Sequence, residues 1–482
     1  MSSKSALRLW LPEYVRGAAA RAHARSARRW RLTHVVFLVC DHYEPRHGAT
    51  RDEQPAERVA TWQREYPRFQ QRCRDAFGHA PLHTWFYPPH HGAEHLPALA
   101  EMAFAGGGEV ELHYHHDNDT AQTLRRDLLA TLDLYNSHGL LLANGNPPRR
   151  NFGFVHGDWT LDNACNGPMC GVNGELSILK ELGCWADFTM PSANEAQTRK
   201  INSIYYAVDD PSRHKSHNTG RDATVGGTHA EGFLLIQGPL GINWKAPGYP
   251  RIENASLTSA NWGRPDRIER WIDCNVHVDG RPEWLFVKLH THGAIERDFD
   301  ALFGEKAFAM HRTLNERFND GRRYRLHYAT ARQAYNLVKA AEAGKSGDPS
   351  RWFDFAVAPP VTSVYALGAR HRVHACTPTQ LRLAGVASDA PVRLSTRIGA
   401  VREVAGRLAS VHLDADRGIA DIDCSDPSAE LVLRTTADVD LVAQGPAITS
   451  CQRSGDGMQW TVRTDAGRAR MRVVPGRQPV AA

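Results

Sequence analysis

Thr33-His34-Val35-Val36-Phe37-Leu38-Val39-Cys40 runs without a break into Asp41-His42-Tyr43-Glu44-Pro45. From Val35 to Cys40 there is no polar side chain. Both faces of the segment therefore want burial, as in a strand of a parallel sheet covered by helices. The run then stops on an acid, a histidine and a second acid. Delivering ionisable groups at the carboxyl end of a buried strand is how parallel α/β sheets build their sites.

Outward from this strand, helix-like and strand-like segments alternate. Glu53–Phe77 has helical periodicity, with Val59, Trp62, Tyr66 and Phe69 on one side, and Pro67 predicts a kink or an early end. Leu82–Tyr87 is a short strand stopped by Pro88-Pro89. Glu94–Phe104 reads as a helix ended by Gly106-Gly107-Gly108, and Glu109–His115 as a third strand. Asp119–His138 is a helix capped by Asp119 or Thr120, with Leu124, Leu128, Leu132 and Tyr135 as its core stripe. Strands follow at Phe152–His156, Cys184–Thr189, Gly232–Gln237, Trp284–His290 and Arg325–Ala329, and helices at Gly171–Leu182, Glu305–Phe318 and Ala331–Ala343. Repeated strand–helix units over residues 33–345 predict a parallel sheet, closed into a barrel with its site where the strands end.

Gly344–Ser350 (GKSGDPS) reads as a linker. Beyond it, short runs such as Val386–Leu394, Leu408–Leu413, Ala429–Thr435 and Trp460–Arg463 are separated by Gly, Asp, Ser and Pro. They predict a small all-β, sandwich-like domain over residues 351–482. The fold class is thus α/β, a barrel followed by an all-β domain.

The chain has 482 residues, 42% of them hydrophobic and 23% charged, which excludes a disordered protein. Its net charge of +5 is matched by a basic N-terminal helical segment, residues 1–32, in which Arg16, Arg21, Arg25, Arg28, Arg29 and Arg31 follow one another with no acid between Arg16 and Arg31. Such a segment suits a helix packed on the barrel, or peripheral contact with an anionic membrane surface. Nucleic acid is not an expected partner. No stretch reaches the ~20 apolar residues that span a bilayer, and no export signal is visible. The nine cysteines are scattered without a C-x-x-C pair, which argues against a zinc finger and for reduced thiols in a cytoplasmic protein.

The 25 histidines are the chemical signal, because they cluster where strands end. In Glu111-Leu112-His113-Tyr114-His115-His116-Asp117, residues two apart share a face of the strand, so His113 and His115 point the same way and His116 lies in the loop beyond. Three imidazoles and a carboxylate this close suit zinc or another divalent transition metal. Asp41, His42 and Glu44 are placed to hold a metal or deprotonate a water. Lys288-Leu289-His290-Thr291-His292 again ends a strand in two histidines, either of which can be a general acid or a further ligand. His156, Asp158 and Trp159 follow the fourth strand, and Asp187 the fifth. A tryptophan face is a platform for a pyranose, so these four are candidate substrate-binding residues.

The order of these pieces resembles the polysaccharide deacetylase family. Phe37-Leu38-Val39-Cys40-Asp41-His42 stands where that family has its acidic first motif. Gly108-Glu109-Val110-Glu111-Leu112-His113 matches the lead-in to its histidine motif. Phe154-Val155-His156-Gly157, then Leu179-Lys180-Glu181-Leu182-Gly183-Cys184-Trp185-Ala186-Asp187, match later motifs of divergent members, and Lys288-Leu289-His290 the last. The resemblance implies a distorted (β/α)7-type barrel with a divalent metal, zinc first. It implies Asp41 as metal ligand or base, and His113 with His115, His116 or Asp117 as further ligands. His290 or His292 would protonate the leaving group. His42 replaces the family's second aspartate, Asp117 stands four residues after His113, and Val155 replaces an arginine. The insert Pro191–Glu231 reshapes the mouth.

The expected activity is metal-dependent removal of an acetyl or similar acyl group from a carbohydrate, in surface-polysaccharide metabolism. The alternatives are a glycoside hydrolase using Glu44, Asp158 and Asp162, and a non-catalytic glycan-binding protein.

Overall fold

The computed structural model describes residues 3–28, 31–75, 77–192, 194–228, 231–365, 370–386, 391–424, 426, 430–436, 438–465 and 467–476. Arg29 of the basic segment lies outside the described residues. The chain forms two compact units: Met1–His91, Gly106–Leu129 and Phe152–Val357 make the first, and Gly92–Ala105, Ala130–Asn151 and Ala358–Ala482 the second.

The principal strands of the first unit are β1 (Thr33–His42), β2 (His83–Tyr87), β3 (Gly108–Tyr114), β4 (Phe152–His156), β5 (Cys184–Asp187), β6 (Ile204–Ala207), β7 (Phe233–Ile236), β8 (Trp284–Thr291) and β9 (Tyr324–Tyr328). Every residue of β1 is buried. It pairs in parallel with β8 along one edge; along the other it pairs with β9 near its start and β2 near its end. The parallel order continues through β3, β4, β5 and β7. β6 runs antiparallel to β7 and carries the two-residue strand Arg221–Asp222 at its far edge.

The result is a ten-stranded, mostly parallel sheet. A closed barrel is not what its strand pairing shows. Past β8 the backbone continues through single bonds: Phe286 N–H to Val276 O (2.8 Å), Asp279 N–H to Ala223 O (2.8 Å) and Ala223 N–H to Ile204 O (2.9 Å). The expected regular alternation breaks in the insert, which supplies the antiparallel β6 and irregular segments in place of a parallel strand and its helix.

The helices include α1 (Ser3–Arg16), α2 (Ala18–Ala27), α3 (Gln54–Arg72), α4 (Ala121–Asn136), α5 (Glu175–Glu181), α6 (Pro265–Cys274), α7 (Glu305–Phe318) and α8 (Ala331–Glu342). α3 buries Val59, Trp62, Tyr66 and Phe69 and passes through Pro67 without ending. The aromatic stripe on both sides of the proline outweighs one lost backbone bond. α8 starts at a capping box, Thr330 with Gln333, and lays Ala334, Leu337, Val338 and Ala341 into the core beneath β1. In the basic N-terminal segment, Trp10 is buried against Ile201 and Leu240. Arg8 pairs with Glu195, Arg16 with Glu13 and Arg25 with Asp273, while Arg21 stacks on Tyr14. Among the described residues no helix is long and apolar enough to cross a membrane.

The second unit holds two antiparallel sheets of six strands. One runs Thr362–Tyr365, Val392–Thr396, Val401–Gly406, Glu430–Thr435, Gln459–Thr464, Ile448–Arg453 in spatial order; the other runs Arg370–Cys376, Gln380–Val386, Leu408–Asp414, Ile419–Cys424, Arg468–Pro475, Val439–Ala443. Leu383, Val404, Val411, Leu433, Val462 and Met471 belong to their shared core. The run Val386–Leu394, expected as one strand, is the end of one strand and the start of another, with residues 387–390 outside the described ones. The expected linker, Gly344–Ser350, runs into a helical turn, Pro349–Trp352, whose start is capped by the Asp348 side chain.

Candidate metal centre at the strand ends

β1 ends at His42 and hands the chain to Glu44, so the sheet's parallel order decides what surrounds these residues. Asp41 is fully buried. Its Oδ2 meets His83 Nε2 at 2.8 Å, and its Oδ1 accepts from Gly293 N–H at 2.6 Å. A Cβ at Gly293 would stand 2.1 Å from that carboxylate, so only glycine fits. The Gly293 carbonyl accepts from Trp62 Nε1 at 2.8 Å. Both Asp41 oxygens are thus taken, and Asp41 anchors the turn that carries His292. It does not join the ligand cluster expected around it.

Glu44 forms that cluster. Its Oε1 lies 2.9 Å from His115 Nε2 and 3.5 Å from His113 Nε2, and the two Nε2 atoms are 3.0 Å apart. The Nδ1 of His113 faces Val155 O at 2.9 Å, and that of His115 faces Asp158 Oδ2 at 3.3 Å. Val155 O fixes the His113 ring proton on Nδ1, Asp158 draws on the outer side of His115, and both Nε2 atoms turn inward toward the carboxylate. Three lone pairs at this separation repel unless a cation or a proton sits among them. Arg58, buried in α3, holds the Glu44 loop through Pro45 O (2.7 Å) and His47 O (2.8 Å) and is itself held by Glu296.

Around this centre stand His292, with Nε2 3.6 Å from Glu44 Oε2, and His47, with Nδ1 3.7 Å from the same oxygen. His42 packs between the rings of His113 and His292, and its Nε2 is buried with no hydrogen-bond partner. Trp159 lies against His42, His290 and His292, and its indole nitrogen is also without a partner. His90 stacks near His115. The centre opens outward here: Asp158 is 51% exposed and His115 28%.

His116 goes elsewhere. Its Nε2 meets His156 Nε2 at 2.9 Å and Glu175 Oε1 at 3.2 Å, in a buried group that includes Cys170. His156, read from the sequence as substrate-binding, is wholly buried in that group. Asp187 is also buried; it bonds Thr189, whose hydroxyl accepts from His156 N–H at 2.8 Å. It therefore shapes the β4 turn from beneath and does not face the opening. Asp162, a carboxylate of the glycosidase alternative, is buried with Gly174 N–H on Oδ1 and Ser216 N–H on Oδ2. Asp117 accepts from Met169 N–H at 2.6 Å.

The electrostatics follow from burial and pairing. Burial alone would push the Glu44 carboxyl up, but with a proton and no cation in the cluster the His113 and His115 imidazoles outweigh it and hold it well below the carboxylate range. For His115, burial opposes the charge, yet Asp158 and Glu44 bring it up to about 9. Burial drives His42, His290 and His292 down, in His292 against the pull of Glu44 and Asp41, so the three stand neutral. Burial pushes Asp187 up to about 7. Behind it Lys288 of β8, buried as well, donates to Phe188 O and to Met190 O, and burial lowers its own affinity for a proton.

Glu44, His113 and His115 offer one ligand atom each within 4.8 Å of one another, as do His116, His156, Cys170 and Glu175, and His34, His327 and Asp348. The first set fits a divalent transition metal by its donor types, its inward lone pairs and the orphaned His42 Nε2 beside it. Cys170 and Glu175 were not legible as partners of His116, since an Asn- and Gly-rich loop separates them from any strand end.

No protein-family model matches the chain. No curated protein matches it. Several solved structures match; among them a presumed glycoside hydrolase/deacetylase from Parabacteroides distasonis superposes over 81% of this chain and 83% of its own, at 11% identity and a TM-score of 0.32. A superposition that loose does not show a shared fold.

Proposed function

We propose that the chain is a metal-dependent hydrolase that removes an acetyl or similar acyl group from a carbohydrate, on a sheet that is a distorted relative of the deacetylase barrel. The observation that carries this reading is the convergence of Glu44 Oε1, His113 Nε2 and His115 Nε2 at an opening to solvent. Three protein ligands with an open side are the pattern of a catalytic site, whereas structural sites are closed.

Glu44, His113 and His115 would hold the cation, zinc first by donor type, with His42 beside them. Bound there, a divalent cation supplies Lewis acidity: it polarises a carbonyl oxygen and lowers the pKa of water. Asp158 orients His115 through Nδ1. His292, neutral and 26% exposed, is the residue that can take a proton and return it to the leaving oxygen or nitrogen. Trp159 supplies a flat wall for a sugar ring. Asp41 acts through Gly293, as a positioning residue for the His292 turn.

The test is acetate release from an acetylated hexosamine oligomer by wild type, His113→Ala and His292→Ala. Loss of release in both variants, with bound metal lost only in the first, supports the reading. Undiminished release in either sinks the role assigned to that residue.

A further inference from the structure

The loop after β4 leaves the opening and returns to it through a second group of ligand atoms, and this group is closed. His116, His156, Cys170 and Glu175 have side chains that are at most 5% exposed where they form ion pairs, and Cys170 is wholly buried. His156 Nε2 lies 2.9 Å from His116 Nε2 and 3.5 Å from Glu175 Oε1, and Glu175 Oε1 lies 3.2 Å from His116 Nε2.

The outer atoms favour turning the inner atoms toward the centre. His156 Nδ1 bonds Gly157 O at 2.6 Å, and His116 Nδ1 stands 3.2 Å from Asp119 Oδ2, an ion-pair distance without hydrogen-bond alignment. Histidines that ligate metals nearly always give their other ring N–H to a carbonyl or carboxylate. Glu175 Oε2 accepts from Asp162 N–H at 2.6 Å, which leaves Oε1 for the imidazoles. The Asn163 N–H points at Cys170 Sγ from 3.3 Å, and Sγ itself stands 3.7 Å from Glu175 Oε2.

Four-coordinate zinc with nitrogen, oxygen and sulfur ligands has ligand–ligand edges of about 3.3–3.8 Å, from bond lengths of about 2.0–2.3 Å. The edges here start at 2.9 Å and no pair exceeds 4.8 Å, so small side-chain movements complete the tetrahedron. A proton shared between His116 and Glu175 would account for one short contact. It would not account for two inward imidazole lone pairs and a buried sulfur at the same point.

We propose that these four residues form a structural zinc site, separate from the centre at Glu44. It ties the end of β3, the end of β4, the loop to Cys170 and the start of α5. That loop carries six non-glycine residues at positive φ: Asp158, Trp159, Asp162, Asn163, Asn166 and Met169. Such backbone persists only where its surroundings over-determine it, and a tetrahedral clip at both ends of the loop does so. The clip also fixes Asp158 and Trp159, which face the other centre.

The test is the absorption spectrum and metal stoichiometry of the full-length protein, loaded with cobalt(II) in place of zinc. Of the candidate ligand clusters among the described residues only this one has a sulfur atom, so a thiolate-to-cobalt charge-transfer band in the near ultraviolet reports it. Wild type should show the band, His113→Ala should keep it, and Cys170→Ser should lose it together with one equivalent of metal. A cobalt-loaded wild type without the band overturns the proposal, even if Cys170→Ser fails to fold. So does a band that disappears in His113→Ala and survives in Cys170→Ser.

Discussion

His113 and His115 aim the same ring nitrogen at each other: their Nε2 atoms are 3.0 Å apart, with Glu44 Oε1 2.9 Å from the second. Two-residue spacing on β3 puts both rings on one face. What sets their rotation lies outside the strand, in Val155 O and Asp158. Gly157 sets the position of the second ring, since a Cβ there would meet the His115 imidazole at 2.4 Å. Gly157→Ala, whose own backbone tolerates alanine, should displace His115 and weaken zinc binding about 10- to 100-fold, the range for disturbed ligand support. A chelator-competition titration reads this directly, and unchanged affinity would mean that His115 is not a ligand.

Arg58→Ala should cost about 2–3 kcal/mol in urea unfolding, because a buried guanidinium that bonds Pro45 O and His47 O is lost. The bonds to Glu296 add little to this figure, since that carboxylate is 45% exposed. Arg58→Lys should recover only part, lacking the fork. A stability within experimental error of wild type would show that the Glu44 loop holds itself.

Trp159→Ala should raise KM for an acetylated hexosamine oligomer at least tenfold, about 1.4 kcal/mol of binding, and change kcat much less. A fall in kcat at constant KM would instead make Trp159 part of the chemistry and not of the sugar wall.

His311 of α7 tests burial away from the site. Burial depresses it from 6.5 to about 3, and its Nδ1 meets Tyr328 Oη at 3.0 Å. The unfolded chain therefore binds more protons than the folded one between those values. The contribution is full above pH 6.5 and is lost as the pH falls toward 3. By pH 5 the loss is about 2 kcal/mol, at 1.36 kcal/mol per pH unit. The stability gap between wild type and His311→Gln should narrow by that amount between pH 7.5 and pH 5. An identical gap at both values would show that His311 titrates normally.

The strands were the legible part of the fold. β1, β4 and α7 follow from apolar runs and helical periodicity that local sequence fully displays. β6 was missed because it lies in the insert and pairs antiparallel to a strand read as parallel. For the site, the two-residue spacing of His113 and His115 was visible, but the division of labour between the two acids after β1 was not. Asp41 is consumed by His83 and Gly293, and those partners come from distant segments. His116 turns away from its neighbours toward Cys170 and Glu175, over 50 residues on, a pairing that only the folded loop reveals.

The most direct test of the account is the metal content of full-length protein, purified without added metal or a histidine tag, for wild type and His113→Ala side by side. The account predicts that the variant holds one equivalent of transition metal fewer than wild type and has lost deacylation. Equal metal content in the two proteins would contradict it, and Glu44, His113 and His115 would then be a hydrogen-bonded cluster sharing a proton.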